Sequence, residues 1–315
     1  MKKHYSLTNK RIWIAGHTGM VGSSLIRALS AMDCEVITAT RSELDLTQQQ
    51  KVMAWVAVTK PDVIIIAAAK VGGIVANDNY PVEFLTTNIL IQTNIFISAH
   101  ANDVNRVLFL GSSCVYPRLA NQPIQEDSLL SGYLEKTNQW YAIAKISGIM
   151  MARAYRKQYG RDYITCMPTN LYGPNDNFCL DTSHVMAALI VKAHKAKRLQ
   201  NDNLEIWGTG KPRREFLYVN DMAEACIFLL ENYSSEEIIN IGSGTDISIL
   251  NLAKMVSEIV GFNGNIIFDD TKPDGTPRKL LDTSKINTMG WSNSTGLLEG
   301  IRKTYKWYLS NIIRN

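Results

Sequence analysis

The sequence lacks most of the features that mark extracellular, metal-binding and membrane proteins. Its five cysteines are odd in number and widely scattered, and they include no CxxC pair. This pattern argues against a disulfide framework or a zinc site and predicts reduced thiols in the cytoplasm. The apolar runs, such as Val63–Ala69, are far too short to cross a bilayer.

A strong charge imbalance and a signal peptide are also lacking. The formal net charge is only +4 over 315 residues, without the clustered basic stripe of a nucleic-acid-binding protein. The basic N-terminal stretch 1–11 leads into a strand and not into an apolar signal core. We therefore expect a cytoplasmic protein that binds no nucleic acid, no membrane and no metal. One basic pocket for a small anionic ligand is compatible with this charge.

What the sequence does contain is an alternation of short apolar runs with amphipathic stretches, typical of β-α-β units. It predicts strands at Arg11–Ala15, Glu35–Ala39, Val63–Ala68, Arg106–Leu110, Tyr163–Pro168 and Glu215–Val219. It predicts helices from the glycine-rich turn to about Met32, and at Gln48–Val58, Phe84–Ala101, Gln139–Tyr159, His184–Lys197, Met222–Asn232 and Leu250–Val260. No internal repeat or low-complexity tract interrupts this order.

The alternation predicts an α/β fold, with a Rossmann-type doubly wound parallel sheet and a smaller α/β substrate-binding domain. From Gly173 onward the rhythm loosens, which marks the smaller domain. We expect residues 1–172 plus about 215–242 to form the Rossmann-type domain. Residues 173–214 plus 243–315 would form the substrate-binding domain, which closes over the carboxyl edge of the sheet.

The first predicted strand is followed by a glycine-rich turn that opens a helix. Glycines here permit a tight turn and let the backbone approach a pyrophosphate at the helix N-terminus. The turn predicts a dinucleotide site that includes Gly16, Thr18, Gly19, Met20, Val21 and Gly22.

The end of the second strand indicates which dinucleotide binds. An acid there favours the ribose 2′-hydroxyl of NAD, whereas an arginine favours the 2′-phosphate of NADP. The sequence has Arg41 at this point and no acid before Glu43. Arg41 therefore predicts NADP(H), and Asp45 is expected at the edge of the cofactor near the adenine.

A candidate catalytic pair lies on the helix Gln139–Tyr159. Tyr141 and Lys145 are one turn apart, so they share a helical face. An ordinary tyrosine has a pKa near ~10, and a neighbouring cation would bring it toward the working range. Ser112 follows another strand at its carboxyl end, where it would hold a substrate carbonyl oxygen together with Tyr141. These residues predict an oxidoreductase.

Several longer stretches extend the pattern. They are AGHTGMVGS (15–23), AAAKVGGIVAN (67–77), FLGSSCVYP (109–117), YAIAKI (141–146), MPTNLYGPNDNF (167–178), REFLYVNDMA (214–223) and KPDGTPRKLLD (272–282). With them the chain resembles the extended short-chain dehydrogenase/reductases, and within that family the GDP-L-fucose synthases. The resemblance implies an NADPH-dependent 3,5-epimerase-4-reductase that converts GDP-4-keto-6-deoxy-D-mannose to GDP-L-fucose.

The resemblance also implies roles for individual residues. Cys114 and His184 would be the acid–base pair of epimerisation, because the protons at C3 and C5 are acidified by the C4 ketone. Further cofactor contacts would come from Leu110, Gly111, Ser112, Tyr141, Lys145, Pro168, Asn170, Leu171 and His184. Substrate contacts would come from Lys192, Trp207, Arg214, Asp274 and Arg278. A homodimer through the helices at Phe84–Ala101 and Gln139–Tyr159 is implied as well.

Two positions depart from the family pattern. Lys192 lies where the family usually carries arginine, so the charge is kept and the bidentate geometry is lost. Thr18 replaces the usual basic residue of the glycine loop, which leaves Arg41 as the main contact for the 2′-phosphate.

The alternatives to fucose synthesis are chemically close. A GDP-L-colitose synthase acting on the 3-deoxy keto sugar would carry nearly the same motifs, and so would a GDP-keto-sugar 4-reductase without epimerisation. A 4,6-dehydratase would carry an Asp-Glu pair at Ser113-Cys114, and an NAD-dependent sugar 4-epimerase would carry an acid near Arg41. A non-catalytic NADP-sensing regulator would usually lose the pair Tyr141 and Lys145.

Overall fold

A six-stranded parallel sheet forms the centre of the larger part of the molecule. The computed structural model describes residues 4–272 and 274–313. The strands lie in the order β2-β1-β3-β4-β5-β9. Their bounds are β1 Arg11–Ala15, β2 Glu35–Ile37, β3 Val63–Ile66, β4 Arg106–Leu110, β5 Asp162–Pro168 and β9 Ile239–Ile241.

Helices cover both faces of this sheet. The helices of this part are α1 Met20–Leu29, α2 Gln49–Thr59, α3 Ile74–Asn79, α4 Pro81–Ala101, α5 Gln139–Tyr159 and α7 Val219–Asn232. One apolar core lies between the sheet and α2, α4 and α5, and a second lies between the sheet and α1 and α7. Successive residues of a strand point to opposite faces, so Trp13 enters the first core and Ile12 and Ile14 enter the second. This is why the parallel strands are apolar throughout.

The smaller part is built around a second sheet, in the order β10-β8-β12, with β6 also paired to β8. A separate parallel pair joins β7 and β11. Its strands are β6 Asn170–Tyr172, β7 Asn203–Trp207, β8 Arg213–Tyr218, β10 Asp246–Ser248, β11 Asn265–Asp269 and β12 Arg278–Lys279. Its helices are α6 Val185–Arg198, α8 Ile249–Val260 and α10 Leu297–Tyr308, whereas α9 Ser284–Thr288 packs beside β9 and adds Ile286 to the core that contains α1 and α7. A third apolar core lies between α6, α8, α10 and these strands.

One sequence-based expectation about the fold is wrong. We expected the strand at Glu215–Val219 to return to the first domain, but β8 pairs with β6, β10 and β12 and joins the second sheet. The helix that follows it, α7, does return and packs on α1 beneath the large sheet. The sixth strand of the large sheet is β9, which is only three residues long and was not predicted.

The other predicted elements agree with the sequence patterns to within a few residues at their ends, while α3, α9, α10, β6, β7, β10, β11 and β12 were not predicted. The boundaries of β1, β4 and α5 are those predicted. Within the described ranges, none of the helices combines the length and the apolar character needed to span a membrane.

Candidate active site

The backbone around the glycine-rich turn after β1 leaves no room for a side chain at Gly16 or at Gly22. Gly16 has a φ of +90°, and a Cβ placed on it would lie 2.6 Å from the Cα of Ala68. A Cβ on Gly22 would lie 2.1 Å from the carbonyl oxygen of Gly16. Gly19 precedes α1, and no side chain caps that helix end. The first N–H groups of α1 are therefore open to an anion, which fits the pyrophosphate of a dinucleotide.

The rest of this turn and the end of β2 complete the expected cofactor site. Thr18 is exposed, and Met20 and Val21 begin α1. Arg41 is exposed and lies in the turn that follows β2, four residues beyond Ile37. Hydrogen bonds from the N–H and hydroxyl of Thr47 hold the pKa of Asp45 below its usual range, and the charge of Arg41 acts in the same direction.

Ser112 connects the residues at the end of β4. It precedes a short 3₁₀ turn, Ser113–Val115, and its Oγ accepts a hydrogen bond from the backbone N–H of Cys114 at 3.3 Å. Its hydroxyl also lies close enough to the phenol of Tyr141 to act on the pKa of that group. The structure thus brings together Ser112, Cys114 and Tyr141 from two elements. A hydroxyl and a phenol side by side can hold one carbonyl oxygen.

The protonation of Tyr141 differs from the sequence-based expectation. Burial raises the pKa of Tyr141, and the hydroxyl of Ser112 offsets this only in part. The Nζ of Lys145 donates to the carbonyl oxygen of Leu110 at 2.8 Å, and its charge is not among the causes that shift the pKa of Tyr141. The expectation that Lys145 lowers this pKa is therefore wrong for this structure. Tyr141 is protonated at neutral pH.

Lys145 is itself strongly affected by its surroundings. Its side chain is only 3% exposed, and this burial lowers its pKa to about 8. The ammonium lies 4.8 Å from the ring centroid of Phe109 and 5.8 Å from that of Tyr141. These contacts favour the charged form in a site where water is scarce.

Cys114 and His184 enter the site from different elements. Cys114 is buried, and burial raises the pKa of its thiol, while the charges of Lys279 and Lys145 act in the opposite direction. His184 is the N-cap of α6 and is solvent-exposed. Desolvation by the surrounding protein and the charge of Lys279 lower the pKa of His184. At neutral pH the site offers a thiol that holds a proton and an imidazole that can accept one.

Lys279 is a site residue that the sequence analysis missed. It acts electrostatically on both Cys114 and His184, and burial lowers its own pKa. In the ladder between β12 and β8 it lies opposite Arg214, the expected diphosphate-binding residue. The side chain of its neighbour Arg278 forms an ion pair with Asp246. Because adjacent strand residues face opposite sides, only one of the two can reach the cleft.

The expected substrate residues lie in the smaller part of the molecule. Both carboxylate oxygens of Asp274 are bonded to Thr209, by its N–H and by its hydroxyl at 2.8 Å each. Arg214 donates from Nη2 to the carbonyl oxygen of Asp274 at 3.4 Å. Lys192 lies with its Nζ 5.1 Å from the ring centroid of Trp207, which is 43% exposed. Asp274 therefore organises the turn that follows Trp207.

The other expected cofactor residues lie at the carboxyl ends of β4 and β5 or within the few residues that follow them. Leu110 ends β4, and Gly111 follows it. Pro168 ends β5, and Leu171 is in β6. The side-chain amide of Asn170 donates to the carbonyl oxygen of Glu215 at 2.8 Å. In an open α/β sheet this edge is where ligands bind.

Comparison with known proteins identifies the family. The model of the NAD dependent epimerase/dehydratase family matches residues 12–242. A GDP-L-fucose synthase of Sinorhizobium fredii is 54% identical over 311 residues, which are 99% of this chain and 99% of the relative. A GDP-L-colitose synthase of Yersinia pseudotuberculosis is 37% identical and covers 95% of this chain and 98% of the relative.

A solved structure agrees in fold and in cofactor. The crystal structure of a GDP-L-fucose synthetase from Naegleria fowleri bound to NADP has a TM-score of 0.90 at 26% identity. It covers 98% of this chain and 97% of that one. The chain therefore belongs to the NAD dependent epimerase/dehydratase family, in the group that contains the GDP-L-fucose synthases.

Proposed function

We propose that this NADP-dependent enzyme converts GDP-4-keto-6-deoxy-D-mannose to GDP-L-fucose by epimerisation at C3 and C5 and reduction at C4. The observation that carries the proposal is the position of Ser112, which accepts a hydrogen bond from the N–H of Cys114 and acts on the phenol of Tyr141. One oxygen-binding site is thereby adjacent to an acid–base group and to a proton donor. The curated relative named for fucose synthesis is 54% identical, against 37% for the colitose synthase.

The residues after β1, β4 and β5 fit NADP(H). The turn at Gly16 and Gly22 excludes any Cβ, as a backbone in contact with a pyrophosphate requires. Arg41 would contact the 2′-phosphate, and Lys145 and Tyr141 would contact the nicotinamide ribose. When bound, NADPH supplies the hydride that is transferred to C4.

The epimerisation follows from the acidity of the protons that flank a ketone. Ser112 and Tyr141 would hydrogen-bond the C4 oxygen and stabilise the enolate that forms when C3 or C5 loses its proton. Cys114 and His184 would act as the acid–base pair, one removing a proton from the carbon and the other returning one on the opposite face. Each inversion thus consumes and restores one proton and changes no oxidation state.

The reduction uses the same oxygen-binding site. As C4 accepts the hydride, its oxygen becomes an alkoxide, and Tyr141 would donate the phenolic proton to it. Burial, which raises the pKa of Tyr141, keeps that proton on the phenol until the alkoxide forms. The proton donor for reduction is therefore in the required state before the substrate binds.

The substrate is held across the two parts of the molecule in this proposal. Arg214 and Lys279 would contact the diphosphate, while Trp207, Lys192 and Asp274 would contact the nucleoside side. We infer that the part with the six-stranded sheet, completed by α7 and β9, binds NADP. The part around β8 and α6 would then bind the GDP-sugar.

We also infer a cytoplasmic homodimer. Leu90 of α4 and Trp140 and Ile143 of α5 are exposed apolar side chains on two adjacent helices. Covering them against a second copy would remove this apolar surface from water. All five cysteines are free thiols, which suits a reducing compartment.

The test is NADPH oxidation by the purified protein with GDP-4-keto-6-deoxymannose, compared for the wild type and Cys114→Ser. We expect the wild type to consume NADPH with this ketone. The serine variant should lose exchange of the C3 and C5 protons by about 10²-fold or more, since a hydroxyl is a far weaker acid than a thiol. Its affinity for NADPH should be unchanged.

Two results would refute the proposal. One is the absence of NADPH consumption with both this ketone and its 3-deoxy analogue. The other is an equal loss of proton exchange and of reduction in Cys114→Ser, because Cys114 would then have no specific role in epimerisation.

A further inference from the structure

An acidic side chain folds back onto the end of β2, where the second ribose of a dinucleotide binds in this fold. Glu43 follows the strand by several residues, but its Oε2 accepts hydrogen bonds from the backbone N–H of Thr40 at 2.7 Å and from its hydroxyl at 2.8 Å. Both groups would otherwise be free to donate to a 2′-phosphate. The turn thus brings the carboxylate of Glu43 to Thr40, although the residues between β2 and Arg41 include no acid.

Two carboxylates, one guanidinium and one imidazole lie around this position. Arg41 and His17 are the basic side chains, from the turn after β2 and from the glycine loop. Glu43 and Asp45 are the acidic ones: His17 acts electrostatically on Glu43, and Arg41 acts on Asp45. The fifth side chain, Thr18, is exposed and uncharged. A 2′-phosphate entering this pocket would meet as many acidic as basic side chains.

The two kinds of residue select opposite cofactors. An arginine at the end of β2 favours a 2′-phosphate, and a carboxylate favours a 2′-hydroxyl, to which it can be a hydrogen-bond acceptor. We propose that Glu43 is a specificity-determining residue that weakens the preference for NADPH, so that the pocket also binds NADH. This inference rests on the cofactor site proposed above and not on the identity of the sugar.

Direct cofactor binding tests the proposal without any sugar substrate. The dissociation constants of NADPH and NADH are measured by nicotinamide fluorescence for the wild type, Glu43→Gln, Arg41→Ala and Glu258→Gln. Glutamine keeps an oxygen that can accept from Thr40, so the turn is preserved while the charge is removed. Glu258 is an exposed acid on α8, in the other part of the molecule, and serves as the matched control.

We expect the wild type to bind NADH within about tenfold of its affinity for NADPH, because the carboxylates of Glu43 and Asp45 oppose the positive charge of Arg41. Glu43→Gln should raise the affinity for NADPH by about fivefold and leave or weaken that for NADH. Arg41→Ala should weaken NADPH binding alone, and Glu258→Gln should change neither. Salt should reduce the effect of Glu43→Gln, because the pocket is exposed to solvent.

The proposal is overturned if Glu43→Gln leaves the ratio of the two dissociation constants unchanged. It is also overturned if this variant binds NADPH more weakly, since Glu43 would then only position the turn that carries Arg41. Failure of the chain to turn over the keto sugar would refute the proposed function and leave these binding results intact.

Discussion

Tyr141 and Lys145 lie in surroundings that set their protonation for reduction. Burial raises the pKa of Tyr141, so the phenol keeps its proton, and the same burial lowers the pKa of Lys145 to about 8. A protonated phenol can donate to an alkoxide, whereas a phenolate would suit the reverse reaction. Lys145 is charged at neutral pH and loses its charge just above it.

The loss of the Lys145 charge just above neutral pH predicts a pH dependence of cofactor binding. Because the ammonium of Lys145 is present below its pKa of about 8 and lost above it, NADPH affinity should fall as the pH rises through that value. Lys145→Met should bind NADPH more weakly and show no such fall. The measurement is a titration of NADPH binding by fluorescence across this range, and a wild-type affinity that stays constant through it would contradict the assignment.

The sequence identified the site residues that lie in compact motifs and missed those that depend on side-chain direction. Ser112, Tyr141 and Lys145 follow from their spacing and from the strand before Ser112. Lys279 was missed because β12 is only two residues long, too short for an alternating pattern to show which neighbour faces inward. Glu43 was not recognised as part of the cofactor site, because its contact with Thr40 exists only in the folded turn.

Among the secondary-structure elements, β4 and α7 are joined by one buried side chain. Arg106, at the start of β4, is 1% exposed. Its Nη2 donates to the carbonyl oxygens of Leu229, Leu230 and Tyr233 at 2.6–3.1 Å, at the C-terminal end of α7. Its Nη1 pairs with Asp162 of β5. This arginine caps the C-terminal end of α7 and joins it to β4.

Replacing Arg106 should therefore destabilise the fold. We expect Arg106→Met to lower the free energy of unfolding by about 3–5 kcal/mol, the usual effect of removing one partner of a buried ion pair. Lys303→Met is the control, because Lys303 forms an exposed pair with Glu299 and its loss should cost about 0.5 kcal/mol or less. Urea denaturation measures both, and equal effects would show that Arg106 is not a structural anchor.

The pattern of apolar residues predicted most elements but not the sheet to which each belongs. The buried strands β1, β3 and β4 were located correctly because both their faces are covered by helices. The strand β8 was assigned to the wrong sheet, since its sequence shows that it is buried but not which strands pair with it. The strands that pair with β8 are β6, β10 and β12, and each is only two or three residues long.

In the assembled molecule, the exposed apolar residues of α4 and α5 predict the oligomeric state. We expect Leu90→Arg to convert a dimer to a monomer, because the new charge would be buried against the second copy. Val58→Arg is the control, since Val58 is an exposed apolar residue on α2. Light scattering on both variants measures the mass, and a Leu90→Arg variant that stays dimeric would rule out this interface.

In the proposed mechanism, a site between the two parts of the molecule would let one oxygen-binding group serve two reactions. Ser112 and Tyr141 lie on the part with the six-stranded sheet, while His184 and Lys279 come from α6 and β12 of the smaller part. The sugar would therefore meet the proton donor from one side and the groups of the smaller part from the other.

The most direct test of this account is the reaction in heavy water with GDP-4-keto-6-deoxy-D-mannose and NADPH, with the product analysed by NMR. We predict GDP-L-fucose that carries solvent deuterium at both C3 and C5. A reduced product without deuterium at these carbons would show a 4-reductase that does not epimerise, and would contradict the central claim.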